Sequence, residues 1–229
     1  MITEKASAIV CAFNEENTIT SVLENLLKSP VIDEIIVIND GSTDATQTEI
    51  QTFSQNPRVR LIEFQVNRGK GTAMAEGVVN ARNRILVFVD ADLLNFDDRY
   101  VDQLVQPLLS GLADMVIGHP TENTVDDKFN PFKPLSGERA LLRDDILPFV
   151  ENMRGSRFGV ETLINLSYRS RKMRVLTVPL WGLIHPIKLQ KHSFNRATRE
   201  YCSAANQILR AVIVNYSLVA VIVQNLFRR

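Results

Sequence analysis

Cysteine is scarce in this 229-residue sequence, and the two present, Cys11 and Cys202, sit far apart without metal-ligand spacing. That leaves no cysteine metal site, and Cys11, inside an apolar strand pattern, points to a reduced interior. Net charge is absent as well: 26 basic residues balance 26 acidic ones, so no bulk field draws the chain to nucleic acid or to an anionic surface. The N-terminal "MITEKASAIV" carries Glu4 and no long apolar run, which fits neither a signal peptide nor a transit peptide; a cytoplasmic enzyme is the expectation. No solenoid-length repeat and no low-complexity tract occurs. The length suits one large domain with a full core and is short for two.

What is present is alternation. Apolar runs at 6–13, 34–39, 58–64, 85–90 and 113–118 read as strands, separated by segments of helical periodicity, and this is the pattern of a mostly parallel α/β sheet flanked by helices. Ile19, Val22, Leu23, Leu26 and Leu27 recur at helical spacing behind Thr18, read as a cap. A helix is predicted over 99–109, with Pro107 at an end or a kink. Residues 119–134, with three prolines among polar residues, read as a mobile loop. "RVLTVPLW" (174–181) returns as a strand, and a long helix is predicted from about residue 203.

Ligands of open α/β sheets bind beyond the carboxyl ends of the strands, and that edge collects the chemically unusual residues. Strand one ends in Asn14, Glu15 and Glu16, strand two in Asp40, strand three leads to Lys70 between two glycines, and strand four ends in Asp90 and Asp92. Carboxylates, a phosphate-seeking lysine and a D-x-D pair together suit a nucleoside diphosphate. No G-x-G-x-x-G follows strand one, which disfavours a dinucleotide site, and "NRGKGT" lacks P-loop spacing. A D-x-D pair suits Mg2+ or Mn2+, because these hard ions take one or two protein carboxylates and leave positions for water and phosphate. Read alone, the pair equally caps a helix or solvates a turn.

In order and spacing, "IVCAFNEENTI", "IIVINDGSTDAT", "NRGKG" and "FVDADL" resemble the family 2 glycosyltransferases of the GT-A fold. The resemblance covers about the first hundred residues. It implies transfer of a sugar from a nucleoside diphosphate sugar (UDP- or GDP-linked), with Ala12, Phe13, Glu15 and Asp40 around base and ribose, Lys70 near the nucleotide, and Asp90 and Asp92 as the metal-binding motif. Read from chemistry alone, Glu15 caps a helix and Asp40 forms a turn equally well.

Further on, "PFKPLSGERALLR", "FGVETLINL" and "GLIHP" are similar to the acceptor half of glucosyl-3-phosphoglycerate synthases and related transferases. This implies Ser136 and Gly137 beside the sugar or acceptor, Glu161 at the reaction centre and His185 as a further metal ligand. A histidine turned to backbone before Pro186 is the alternative for His185. Glu161 opens a helical pattern, so it equally reads as a first-turn carboxylate complementing the helix dipole. If catalytic, it is a general base for an inverting enzyme with a hydroxyl acceptor, or an orienting group otherwise; the orienting role is preferred.

The cations of "YRSRKMR" (168–174) and those at Lys188, Lys191, His192, Arg196 and Arg199 read as a solvated face or as contacts to an anionic acceptor or lipid head group. No aromatics interleave with them to stack bases, so no nucleic-acid partner is expected. The tail is apolar nearly all round from Ala211 to Val223, short of the roughly 20 residues a membrane span needs. Residues 203–229 are therefore expected to form a C-terminal helix that is buried, pairs with a second copy or lies on a membrane surface, appended to a catalytic domain over 1–202. The expected activity is metal-dependent glycosyl transfer to a small acidic or phosphate-bearing acceptor. A polyprenyl-phosphate acceptor at the membrane, a nucleotidyltransferase and a non-catalytic binding module are the alternatives.

Overall fold

The structure, a computed structural model, describes residues 4–121, 135–156, 159–184 and 213–227. Seven strands form one sheet: β1 (Ala6–Ala12), β2 (Ile32–Asn39), β3 (Val59–Glu63), β4 (Ile85–Asp90), β5 (Met115–Pro120), β6 (Arg139–Leu142) and β7 (Val175–Leu180), in the spatial order β3-β2-β1-β4-β6-β5-β7. The first four strands pair in parallel, and β5 pairs with β7 in parallel. The exception is β6, which runs antiparallel to both of its neighbours, β4 and β5.

Alternation along each strand divides the interior into two layers. Ala8 and Val10 of β1 and Val87 and Val89 of β4 point to one face, where they meet α1 (Ile19–Lys28), α2 (Thr46–Gln51) and α4 (Arg99–Leu109). Ile9, Ile38, Leu86 and Phe88 point to the other, under α3 (Lys70–Asn80), α6 (Val150–Ser156) and α7 (Val160–Ser170). Burial on both faces is why the parallel strands read as unbroken apolar runs. A four-residue α5 (Arg143–Ile146) and a 3-10 turn (Leu147–Phe149) lead from β6 into α6. The last described helix, α8 (Tyr216–Phe227), packs on α7 and donates from Asn225 Nδ2 to the Ser170 carbonyl at 3.0 Å.

The α/β sheet read from the sequence is present, with strand limits shifted by one or two residues. Three expectations need correction. The segment "RALL", read only as part of an acceptor motif, is the antiparallel strand β6, because its buried residues complete the sheet between β4 and β5. His119 and Pro120 end β5 instead of opening a loop. Thr18 stands at the first-turn boundary of α1 but makes no side-chain cap; its hydroxyl reaches back 3.5 Å to the Glu15 carbonyl. The expected loop at 122–134 and the start of the tail helix lie outside the described residues. Pro107 sits in the last turn of α4; it lacks the N–H that would donate to the carbonyl of residue 103, and the helix ends two residues later.

At the amino-terminal edge of the sheet, opposite the strand tips, Ser7 Oγ donates to Glu34 Oε2 at 2.5 Å and the Arg82 amide donates to the same oxygen at 3.0 Å. The Asn83 amide closes the group on Ser7 Oγ at 3.2 Å. Glu34 is buried, so removing its carboxylate strands two donors. Glu34→Ala is expected to lower stability in urea unfolding by about 2–3 kcal/mol while leaving ligand binding at the far edge unchanged in calorimetry.

Candidate active site

At the carboxyl edge of the sheet one cation joins three elements. Gly69, at φ 92°, turns the chain so that Lys70 opens α3. Its Nζ lies 2.8 Å from Asp90 Oδ1 at the tip of β4 and 2.8 Å from Glu161 Oε1 in the first turn of α7. Burial by itself would lower the lysine pKa; the two carboxylates more than reverse this and hold the ammonium well above its ordinary value. Cys11 pairs in register with Asp90, and burial pushes its thiol pKa up, so it stays a neutral packing group.

The glycine loop is held from below by Asp40. Its Oδ1 accepts the Arg68 amide at 2.6 Å and its Oδ2 the Gly69 amide at 2.9 Å. Next to it Gly41, at φ 72°, lies against the loop so closely that a Cβ there would fall 2.5 Å from the Val66 carbonyl carbon. Side chains also lace the first two strand-end loops together. Asn14, in the left-handed region at φ 58°, accepts the Thr43 amide at 2.8 Å, and Glu16 accepts the Ala45 amide at 2.8 Å. The Glu15 amide donates to Thr46 Oγ1 at 2.7 Å. These anchors tie the two loops to each other.

The other wall comes from β6 and the turn before it. Phe88, Arg139 and Ile117 are register partners across β4, β6 and β5, and two residues nearer the tips Gly137 lies beside Asp90. A Cβ on Gly137 would fall 2.2 Å from Asp90 Oδ2, so only glycine lets the carboxylate lean over β6. Ser136 Oγ donates to Glu138 Oε2. Arg139 is completely buried; it donates from Nη2 to the Ser136 carbonyl and, at 3.4 Å, from Nη1 to Asn165 Oδ1, one turn beyond Glu161 on α7.

Lys70, Asp90, Glu161 and Gly137, all singled out from the sequence, are brought together here. Asp90 was expected to work with Asp92 on a metal; in the ligand-free chain its Oδ1 pairs with Lys70. Asp92 is half-buried in the turn that follows β4. Asp40 was expected around base and ribose; both of its oxygens accept amides of the glycine loop. The Ala12 side chain packs in the core, so only its backbone faces the edge, whereas Phe13 is exposed. His185 lies outside the described residues, and among those described no group of three or more His, Cys, Asp or Glu is arranged to hold a metal. Arg139 and His119 were not singled out from the sequence. A charged residue opening a buried strand was the available signal for Arg139; His119, buried at the end of β5, carried none.

A family model described as Glycosyl transferase family 2 matches residues 7–197. A glucosyl-3-phosphoglycerate synthase of Mycolicibacterium paratuberculosis is 39% identical over 112 residues, which are 46% of this chain and 33% of that protein. A dolichyl-phosphate beta-glucosyltransferase of Drosophila melanogaster is 40% identical over 98 residues, 38% of this chain and 30% of that protein. The chain thus spans about a third of the length of these curated relatives. Among solved structures, glucosyl-3-phosphoglycerate synthase from Mycobacterium tuberculosis, in complex with Mn2+, uridine diphosphate and phosphoglyceric acid, superposes with a TM-score of 0.71 at 23% identity, over 92% of this chain and 78% of that one. That likeness is one of fold. With the family match spanning most of its length, the chain belongs to glycosyl transferase family 2.

Proposed function

We propose that this chain transfers a sugar from a nucleoside diphosphate sugar, UDP- or GDP-linked, to a small acidic or phosphate-bearing acceptor. The observation that carries the reading is Lys70, presented by a glycine loop at the amino end of α3 and flanked by Asp90, Glu161 and the turn holding Asp92. An ammonium has three N–H donors; two serve the carboxylates and one is left for a phosphate oxygen. The amino end of α3 adds a partial positive charge in the same direction. Phe13, exposed at the end of β1, offers a face to the base, and Glu15 and Asp40 border the ribose through the two loops they hold. Ser136 and Gly137 border the sugar or acceptor.

The residues fit a divalent cation. Asp92 supplies a hard oxygen in the turn after β4, and Asp90, tied to Lys70, supplies charge beside it; Mg2+ and Mn2+ take such partial carboxylate sets. Asp92, Asp90 and His185 would hold it. When bound, the ion stabilises the charge that grows on the departing diphosphate. Glu161 is committed to Lys70 by an ion pair, which favours orienting over proton abstraction. The similarity to a synthase that acts on phosphoglycerate supports a small acidic acceptor.

A second reading, a polyprenyl-phosphate acceptor at a membrane surface, has its own support. Ile213, Val214 and Tyr216 at the start of the tail helix are 60%, 78% and 74% exposed, an apolar surface able to rest on lipid. No described helix is long and apolar enough to cross a membrane. The similarity to a dolichyl-phosphate glucosyltransferase agrees with it. A second copy of the chain covering the same surface is the alternative use.

A thermal-shift panel of UDP- and GDP-sugars with and without Mn2+ tests the donor, since a ligand of the native state raises its stability. Nucleoside diphosphate among the products is expected; pyrophosphate would make this a nucleotidyltransferase, and no turnover with any acceptor a binding module. Asp92→Ala is expected to abolish transfer and metal-dependent donor binding without changing the unfolding midpoint. Normal turnover in that variant removes Asp92 from the metal site. Gly137→Ala, which drives a methyl into the Asp90 carboxylate, is expected to cut kcat/KM by about two orders of magnitude, equivalent to roughly 2.7 kcal/mol, as measured by initial rates.

A further inference from the structure

Lys70 carries one positive charge and is flanked within 2.8 Å by two negative ones. Such a trio is net negative, an excess that the divalent cation proposed beside Asp90 would offset only when bound. A second cation lies buried within electrostatic reach of both carboxylates. Arg139 has no exposed surface and faces the same layer as Phe88 and Ile117, two residues below Gly137 and Asp90. Its hydrogen bonds go to the Ser136 carbonyl and, through Asn165, to the helix that carries Glu161. Nε has no hydrogen-bond partner, an arrangement that packing alone does not reward. Burying a guanidinium costs several kcal/mol unless charges nearby repay it.

We propose that Arg139 is a positioning residue: a fixed, buried countercharge that offsets the acidic excess around Lys70, so that the ammonium can attract the donor diphosphate. This rests on the donor-binding reading above. Charges in a desolvated layer act over longer distances than charges in water, so a guanidinium need not touch Asp90 or Glu161 to matter to them. Burial draws the pKa of Arg139 down, and the carboxylates of Glu161, Asp90 and Glu138 oppose that.

The alternative role is purely mechanical, with the guanidinium fork clipping β6 to α7. Two variants separate charge from fork. Arg139→Met removes both, whereas Arg139→Lys keeps the charge and loses the fork. Titration calorimetry with Mg2+ and UDP or GDP measures affinity, and circular dichroism with thermal unfolding of the ligand-free protein measures the fold. Arg139→Met is expected to bind the diphosphate at least tenfold more weakly and to raise the donor KM by a similar factor, with kcat within threefold. Arg139→Lys is expected to stay within threefold of the parent in affinity. Loss of affinity in Arg139→Lys equal to that in Arg139→Met, or unchanged affinity in Arg139→Met, overturns the countercharge. If Arg139→Met does not fold, Arg139→Lys decides alone: near-parental affinity supports the proposal, and a tenfold loss overturns it. A parent protein that binds neither diphosphate would refute the donor reading itself; a parent that binds while both variants bind equally well would refute only the role of Arg139.

Discussion

The bridge from Lys70 to Asp90 and Glu161 is the contact on which the site depends. It joins the start of α3, the tip of β4 and the first turn of α7, three elements that share no covalent proximity. Any one of the three groups left alone at this depth would carry an uncompensated charge, so the edge of the sheet is organised around their mutual satisfaction. The geometry follows from alternation: Asp90 points to the same layer as Phe88, and that layer holds α3 and α7. A one-residue slip of β4 would send the carboxylate to the opposite face.

Around this contact the molecule separates stability from chemistry by position. Polar groups at the amino-terminal edge, such as Ser7, Glu34 and Asn83, are satisfied by one another and close the sheet. Polar groups at the carboxyl edge hold loops in shape and face outward. Glycine is used at the edge where backbone approaches backbone or carboxylate, at Gly41 and Gly137. The antiparallel strand β6 is what delivers Gly137 and Arg139 to the flank of Asp90, because it enters the sheet from the tips instead of rising toward them.

Much of this was legible in the sequence. Parallel strands buried on both sides give unbroken apolar runs, and charged side chains stand where those runs stop, so β1 to β4 and the residues Asp40, Lys70, Asp90 and Asp92 could be found together. What was hidden is long-range pairing. Lys70 and Glu161 are far apart in sequence, and nothing local says that a helix start near residue 160 will dock against the glycine loop. Spacing alone set Asp90 beside Asp92, and it could not say that Lys70 would be the partner of Asp90. Strand β6 escaped because four residues opening with an arginine lack a readable period. Asp40 was read as a turn former or a nucleotide contact; its hold on the Arg68 and Gly69 amides requires knowing that β2 ends beneath that loop.

That hold by Asp40 has a consequence for how a ligand would arrive. Both carboxylate oxygens are engaged by the loop before anything binds, so the entropy of shaping it has been spent during folding. A phosphate reaching Lys70 would meet a loop already tied down at two amides, and less of its binding energy would go into ordering the polypeptide.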